Sequence, residues 1–251
     1  MELPKELMVS VSGVRGRVGE ALTPVTARAH VFVADLDRPR LTAEDHHHLT
    51  RVLRLAPGAG VTACDGRGSW RPCTLAEGEA LAAIGPATTE ARPTPPLTVG
   101  FALVKGQRPD LVVQKLTELG IDRIVPFVAD RSVVRWDAAK SARQAARHAD
   151  IARHAAMQCR RTWLPEVPPV SSFAAVAGIE GATLADRSGT PPTPGTRTVL
   201  IGPEGGWSDG ERAAGLAAVR LARHVLRAET AAITAGAVMA ALRDGLVRSG
   251  R

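Results

Sequence analysis

Two short segments in the last quarter of the chain combine freed backbone with charged side chains, as a site for a small, partly polar ligand requires. IGPEGGW (201–207) puts glycines at 202, 205 and 206, where main-chain N–H and C=O groups can approach a ligand closely. HVLRAETA (224–231) lies some twenty residues further on. Each follows a short apolar run, TVLI (198–201) and VRLA (219–222), and each leads into a helical pattern. Both therefore occupy the strand-to-helix position at which open α/β sheets bind ligands. Ser208 and Glu211 read as a capping box that opens the helix after the first loop. A phosphate loop would end in GK[ST], and a dinucleotide fingerprint would read GxGxxG; neither spacing is present, so an anion cradle is the weaker reading.

Other reactive residue types are placed less suggestively. His46, His47 and His48 are consecutive, so on a helix they point apart and cannot converge on one ion. Cys64, Cys73 and Cys159 form no CxxC and are odd in number, which argues against a disulfide framework and a structural zinc site. No metal is expected, and a cytoplasmic location fits best. No run of 18 apolar residues occurs, and the N-terminus has no short apolar block of the signal-peptide kind, so no membrane association is expected.

The elements that must position the two loops divide into an N-terminal β-rich part and a C-terminal α/β part. Residues 26–90 show short strands with turn signals: HVFVA (30–34), VTAC (61–64), the turn pair Asp65 and Gly66, and SWRPCTL (69–75). One helix interrupts them, opened by Thr42 with Asp45 three residues on and carrying an apolar stripe of Leu49, Val52 and Leu53. Asp45 and His48 are expected on its surface. PATTEARPTPP (86–96), with four prolines, is the natural boundary, expected as an unpaired connector. From 97 to 251 the pattern is βαβ and continues α/β. Leu97, Val99, Phe101 and Leu103 alternate as a strand. Pro109 starts a helix that Gly120 ends before strand IVPFVA (124–129). A long helix (138–160), strand TLAD (183–186), a proline-rich loop and the two signature loops follow.

Of 251 residues, 45% are hydrophobic, ample for a core. Thirty-two Lys and Arg against 25 Asp and Glu give a formal charge of +7, which favours a polyanionic partner through counterion release. Aromatics make up 3% and Tyr is absent, so recognition of RNA would lean on phosphates and shape rather than broad stacking platforms.

Four segments, in order, resemble the ribosomal RNA small subunit methyltransferase E family: VKGQRPDLVVQKLTELGIDRIVPF (104–127), MQCRRTWLPEV (157–167), IGPEGGW and VLRAETA (225–231). The resemblance runs from about residue 31 to the C-terminus. It implies a small PUA-like β-barrel that helps hold RNA, followed by a SPOUT α/β domain with a deep trefoil knot. It also implies a homodimer using S-adenosyl-L-methionine to form 3-methyluridine in 16S rRNA, within the small subunit or its assembly intermediate. The first 25 residues do not resemble the family's start; VSGVRGRVGEALTP (11–24) is instead similar to the opening of phosphohexomutases, whose other loops and length are lacking. They read as an atypical leader.

Carried over by motif position, Leu200, Gly202, Glu204, Gly206, Leu221, Leu226, Arg227, Thr230 and Ala231 become cofactor contacts. Methylation of a uracil ring nitrogen requires loss of the weakly acidic imide proton, orientation of the base and stabilisation of negative charge on its carbonyl oxygens. Arg161 and Arg227 are suitable guanidinium donors, and Glu204 or Glu229 could relay the proton; Arg161 and Glu204 are the candidate catalytic pair. RNA contacts are expected from Arg51, Arg54, Lys105, Arg108, Lys115, Arg131, Arg135, Arg143, Arg147 and Arg161, with Arg143 and Arg147 sharing a helical face by their spacing. Position 160 is Arg where the family commonly has a small residue, and Glu118 of TELG (117–120) reads as a packing residue. Two rivals remain: a SPOUT methyltransferase with another RNA target, and a non-catalytic RNA-binding relative.

Overall fold

The computed structural model describes residues 21–104, 106 and 108–248. Most of the leader, and Lys105, lie outside the described residues.

The N-terminal domain is a mixed five-stranded sheet. Strands β1 (Ala29–Phe32) and β2 (Gly60–Cys64) pair in parallel, and β3 (Ser69–Leu75) pairs antiparallel with β2, with β4 (Leu81–Ala83) and with β5 (Thr88–Thr89). Its core is aliphatic, with Val31, Val61, Ala63 and Cys73 fully shielded. Helix α1 (Ala43–His47) starts as expected, Thr42 Oγ1 accepting the Asp45 N–H at 3.0 Å. It then widens into one π-helical turn at His48–Val52. That change of period breaks the anticipated stripe: Leu49 is buried, whereas Val52 and Leu53 face solvent.

The C-terminal domain is a parallel six-stranded sheet with helices on both faces. Its strands are β6 (Thr98–Ala102), β7 (Arg123–Val128), β8 (Ser171–Ser172), β9 (Ala182–Thr190), β10 (Thr198–Ile201) and β11 (Ala217–Val219), in the spatial order β11-β9-β10-β6-β7-β8. The β6 residues are buried on both faces, as parallel sheets covered by helices require. Residues alternate large and small there because a Cβ at Gly100 would lie 2.7 Å from Leu200 Cδ2. Helix α2 (Arg108–Glu118) makes the βαβ crossover, and α3 (Ala138–Cys159), α4 (Phe173–Ala177), α5 (Asp209–Arg212) and α6 (Ala228–Arg243) complete the layers. Small residues on α6 pack within the chain: a Cβ at Gly236 would come 2.5 Å from Leu116 of α2.

The proline-rich connector is tied down rather than unpaired. Thr88 and Thr89 pair with β3, and Glu90 collects donors from both domains. Trp70 Nε1 reaches Glu90 Oε1 at 2.9 Å, Thr162 Oγ1 reaches Oε2 at 2.8 Å, and Trp163 Nε1 reaches the Glu90 carbonyl at 3.1 Å. Asp45, expected on the surface, is 2% exposed because α3 sends Arg153 across the boundary to its carboxylate at 2.5 Å. Burial alone would raise the Asp45 pKa; hydrogen bonds from Arg153 and Thr42 outweigh it and hold the carboxyl below its ordinary range. His30 adds a third tie, meeting Thr62 Oγ1 at 2.8 Å and the Arg161 carbonyl at 3.0 Å.

Candidate functional site

The two signature loops close on one cavity of about 230 Å3. Strand β10 and the loop after it deliver Ile201, Gly202, Pro203, Glu204, Gly206 and Trp207; the segment after β11 delivers Arg220, Leu221, Ala222, His224, Val225 and Leu226; the first turn of α6 adds Ala228 and Ala231. The first loop is pinned from below. The Trp207 ring stacks on Phe127 at 6.2 Å, its Nε1 donates to the Ala185 carbonyl at 3.0 Å, and a Cβ at Gly202 would lie 3.0 Å from that ring. Gly206 has φ +71°, a backbone conformation glycine adopts without strain. The capping box is formed: the Glu211 N–H donates to Ser208 Oγ at 3.1 Å and the Ser208 N–H to Glu211 Oε2 at 2.8 Å.

A third wall comes from an irregularity in β9. Leu184 and Thr190 pair opposite the adjacent residues Ala218 and Val219, so the intervening residues bulge and bring Ala185, Asp186 and Arg187 over the cavity. The Ser188 N–H at 2.9 Å, the Ser188 hydroxyl at 2.8 Å and the Arg212 guanidinium at 2.8 Å hold the Asp186 carboxyl below its ordinary pKa. The rim thus carries a fixed carboxylate, paired with Arg212 and flanked by Arg187 and Arg220, beside the apolar Leu221, Leu226 and Ala231.

Beside the first loop stands Arg108, at the start of α2. Its Nη1 lies 2.5 Å from Glu204 Oε1 and its Nε 3.7 Å from Glu229 Oε1. The Glu229 Oε2 is buried and has no hydrogen-bond partner among the described residues. One guanidinium therefore serves two carboxylates, and Glu204, the more exposed, lines the cavity.

Of the residues singled out in the sequence, Gly202, Glu204, Gly206, Leu221, Leu226 and Ala231 line the cavity. Leu200 does not, because strand alternation turns it into the opposite core with Phe127 and Trp207. Arg227 caps α6 and is exposed, as is Thr230. Arg161 departs furthest from its expected catalytic role. Its Nη1 donates to the carbonyls of Thr117 and Ile121, both at 2.9 Å, where it satisfies the C-terminal end of α2 away from the cavity. Glu118 pairs with Lys115 on its own helix at 2.9 Å. Asp186, Arg187 and Arg220 were not anticipated, although DRSG (186–189) in the bulge carries an Asx turn, the Ser188 N–H donating to Asp186 Oδ1 at 2.9 Å, and a glycine at 189.

Apart from Lys105, outside the described residues, and Arg161, described above, the expected RNA-binding cations fall into three groups. Arg51, Arg54, Arg135 and Arg143 are exposed, with no carboxylate partner among the described residues. Arg131 is exposed and donates to the Gly205 carbonyl at 3.1 Å. Arg108, Lys115 and Arg147 are engaged by Glu204, Glu118 and Asp110. Among the described residues of this set, Arg108 and Arg131 are the ones that contact the first loop.

A family model of the RNA methyltransferase domain matches residues 91–240, and a model of the RNA methyltransferase PUA domain matches residues 41–83. The ribosomal RNA small subunit methyltransferase E of Mycobacterium bovis is 33% identical over 218 residues, which span 78% of this chain and 83% of the relative. The chain belongs to the ribosomal RNA small subunit methyltransferase E family. A methyltransferase E from Synechocystis is 32% identical over 225 residues, covering 81% of this chain and 73% of its own. Among solved structures, methyltransferase E from Neisseria gonorrhoeae, bound to S-adenosyl methionine, superposes with a TM-score of 0.71 at 26% identity, across 85% of this chain and 97% of that one.

Proposed function

We propose that the protein transfers a methyl group from S-adenosylmethionine to N3 of a uridine in 16S rRNA, within the small ribosomal subunit or its assembly intermediate. It acts in the cytoplasm, as a homodimer, through the knotted α/β domain that the family resemblance implies. The observation that carries the reading is the convergence of segments 201–207 and 220–231 on a single cavity. That cavity suits the donor: freed backbone at Gly202 and Gly206 for a heterocycle's polar edge, Leu221, Leu226 and Ala231 for its faces, and Asp186 for hydroxyl groups or a positive charge. The order β9-β10-β6, with both loops closing on one space, is compatible with a threaded chain.

The donor supplies an electrophilic methyl on a sulfonium, so the remaining work is orientation and removal of one proton. Glu204 is the proton acceptor in this reading. It lines the cavity beside Arg108, and its exposure at the rim leaves it within reach of an incoming base. In this reading Arg108, which lies beside Glu204 and Glu229, takes the role of steadying developing negative charge on the uracil oxygens in place of Arg161. Among the described residues no helix is long and apolar enough to cross a membrane, which suits work on a ribosomal particle.

Calorimetric titration with S-adenosylmethionine, paired with nucleoside mass spectrometry of 16S rRNA from small subunits of a deletion strain, tests the proposal. Micromolar donor binding and 3-methyluridine appearing only with added enzyme are expected. Glu204→Gln should lower kcat at least tenfold while donor affinity stays within about twofold. A protein that ignores the donor would be an RNA binder only, and product on another RNA or on a ribose would overturn the substrate.

A further inference from the structure

We propose that a second cavity, on the far side of the first turn of α2, is a pocket for one nucleotide of the RNA substrate, adjacent to the base being methylated. The inference rests on the methyltransferase reading above and adds to it where the RNA is gripped. The cavity is about 480 Å3, large enough for a nucleobase with its sugar, and lies between α2, the segment after β7 and the start of α3. Trp136, Lys140, Gln144, Arg147 and Asp110 supply its chemistry.

Trp136 is the distinguishing feature. The indole N–H groups of Trp70, Trp163 and Trp207 are all hydrogen-bonded, to Glu90 Oε1, the Glu90 carbonyl and the Ala185 carbonyl. That of Trp136 has no protein partner among the described residues, and its half-buried ring forms part of the cavity wall. In a chain with 3% aromatics, a half-buried indole beside two cations is what stacking on a single base calls for. Lys140 Nζ sits 6.0 Å from the ring centroid and can turn toward a backbone phosphate, while Arg147, more than half exposed and fixed on Asp110, adds positive charge at the rim.

The polar groups are held rather than loose. Arg147 grips Asp110 Oδ2 through Nε at 3.1 Å and Nη2 at 2.6 Å, which offsets the charge of the one carboxylate facing the cavity. Beneath them His148 is wholly buried, its Nε2 3.4 Å from Asp110 Oδ1 and its ring 6.2 Å from that of Trp136. Neither of its ring nitrogens makes a hydrogen bond within the described residues. The imidazole thus backs both the carboxylate and the indole, leaving Asp110 and Gln144 to meet the edge of a base. Adjacency to the target follows from α2 itself: Arg108 reaches toward the donor cavity and Asp110, two residues on, lines this one.

The test measures the affinity of the full-length protein for 16S rRNA by filter binding, alongside its affinity for S-adenosylmethionine. Trp136→Ala should weaken RNA binding roughly tenfold, Trp136→Phe should restore most of it, and Lys140→Glu should weaken it by a similar factor, all with unchanged donor affinity. Because Lys140 is exposed, its variant reports even if Trp136→Ala fails to fold. Wild-type RNA affinity in the folded Trp136→Ala or Lys140→Glu protein overturns the pocket, as does Trp136→Phe no better than Trp136→Ala. A wild-type protein that binds RNA but neither binds nor uses the donor would instead sink the methyltransferase reading, leaving the pocket to be judged on RNA affinity.

Discussion

Replacing Arg153 with alanine strands a carboxylate between the two domains. Asp45 is 2% exposed, and its Oδ1 and Oδ2 accept from Arg153 Nη1 at 3.1 Å and Nη2 at 2.5 Å, while Nη2 also reaches the Phe32 carbonyl at 3.2 Å. Breaking a buried ion pair from one side costs roughly 3–5 kcal/mol. The Arg153 side chain is 24% exposed and the Thr42 hydroxyl still donates to Asp45 at 2.8 Å, which places the loss at the lower end, about 3 kcal/mol. Urea denaturation at pH 7.5 measures it. The double variant Asp45→Ala, Arg153→Ala removes the stranded charge and should recover about 1–2 kcal/mol of the deficit. The deficit of Arg153→Ala should also shrink on acidification, since a protonated Asp45 tolerates burial better than an ionised one. A single variant within about 0.5 kcal/mol of wild type, or strictly additive effects in the double, would refute the reasoning.

Two further outcomes follow from the same boundary and from the cavity wall. Burial pushes the His30 pKa from 6.5 down to about 4, so the native state keeps it neutral while the unfolded chain protonates below 6.5. The unfolded state then binds more protons, so this contribution is complete above pH 6.5 and lost as pH falls toward 4. At pH 5 the loss amounts to about 2 kcal/mol, visible as a smaller acid sensitivity in His30→Asn than in wild type; parallel pH profiles would exclude it. A Cβ at Gly189 would lie 2.4 Å from the Ala218 carbonyl carbon and 2.5 Å from the Val219 nitrogen, main-chain atoms that cannot step aside alone. Gly189→Ala should therefore push β11 off β9, shift the segment that follows it, and weaken donor binding at least tenfold in calorimetry; unchanged affinity would show that the wall is set elsewhere.

What could be read from the sequence was what neighbouring residues decide among themselves. TVLI and SWRPCTL became strands at the anticipated bounds, and Ser208 with Glu211 formed its cap, because pattern and capping act within a few residues. Asp45 was misjudged because its partner, Arg153, is 108 residues away, and no local signal carries that distance. Arg161 shows the same limit: an arginine within a functional motif proved to be occupied by the carbonyls of Thr117 and Ile121. The cavity's third wall escaped because β9 was expected to end at Asp186, whereas pairing with β11 resumes at Thr190 after the bulge.

The grip on Glu90 has a consequence for how a large substrate is handled. With its carboxylate and carbonyl taken by Trp70, Thr162 and Trp163, the joint is clamped shut, and the small domain behaves as a fixed arm of a caliper. Arg51 and Arg54 on that arm then stand at a set separation from the cavity. An rRNA segment that reached both would be gauged by span as well as by contact.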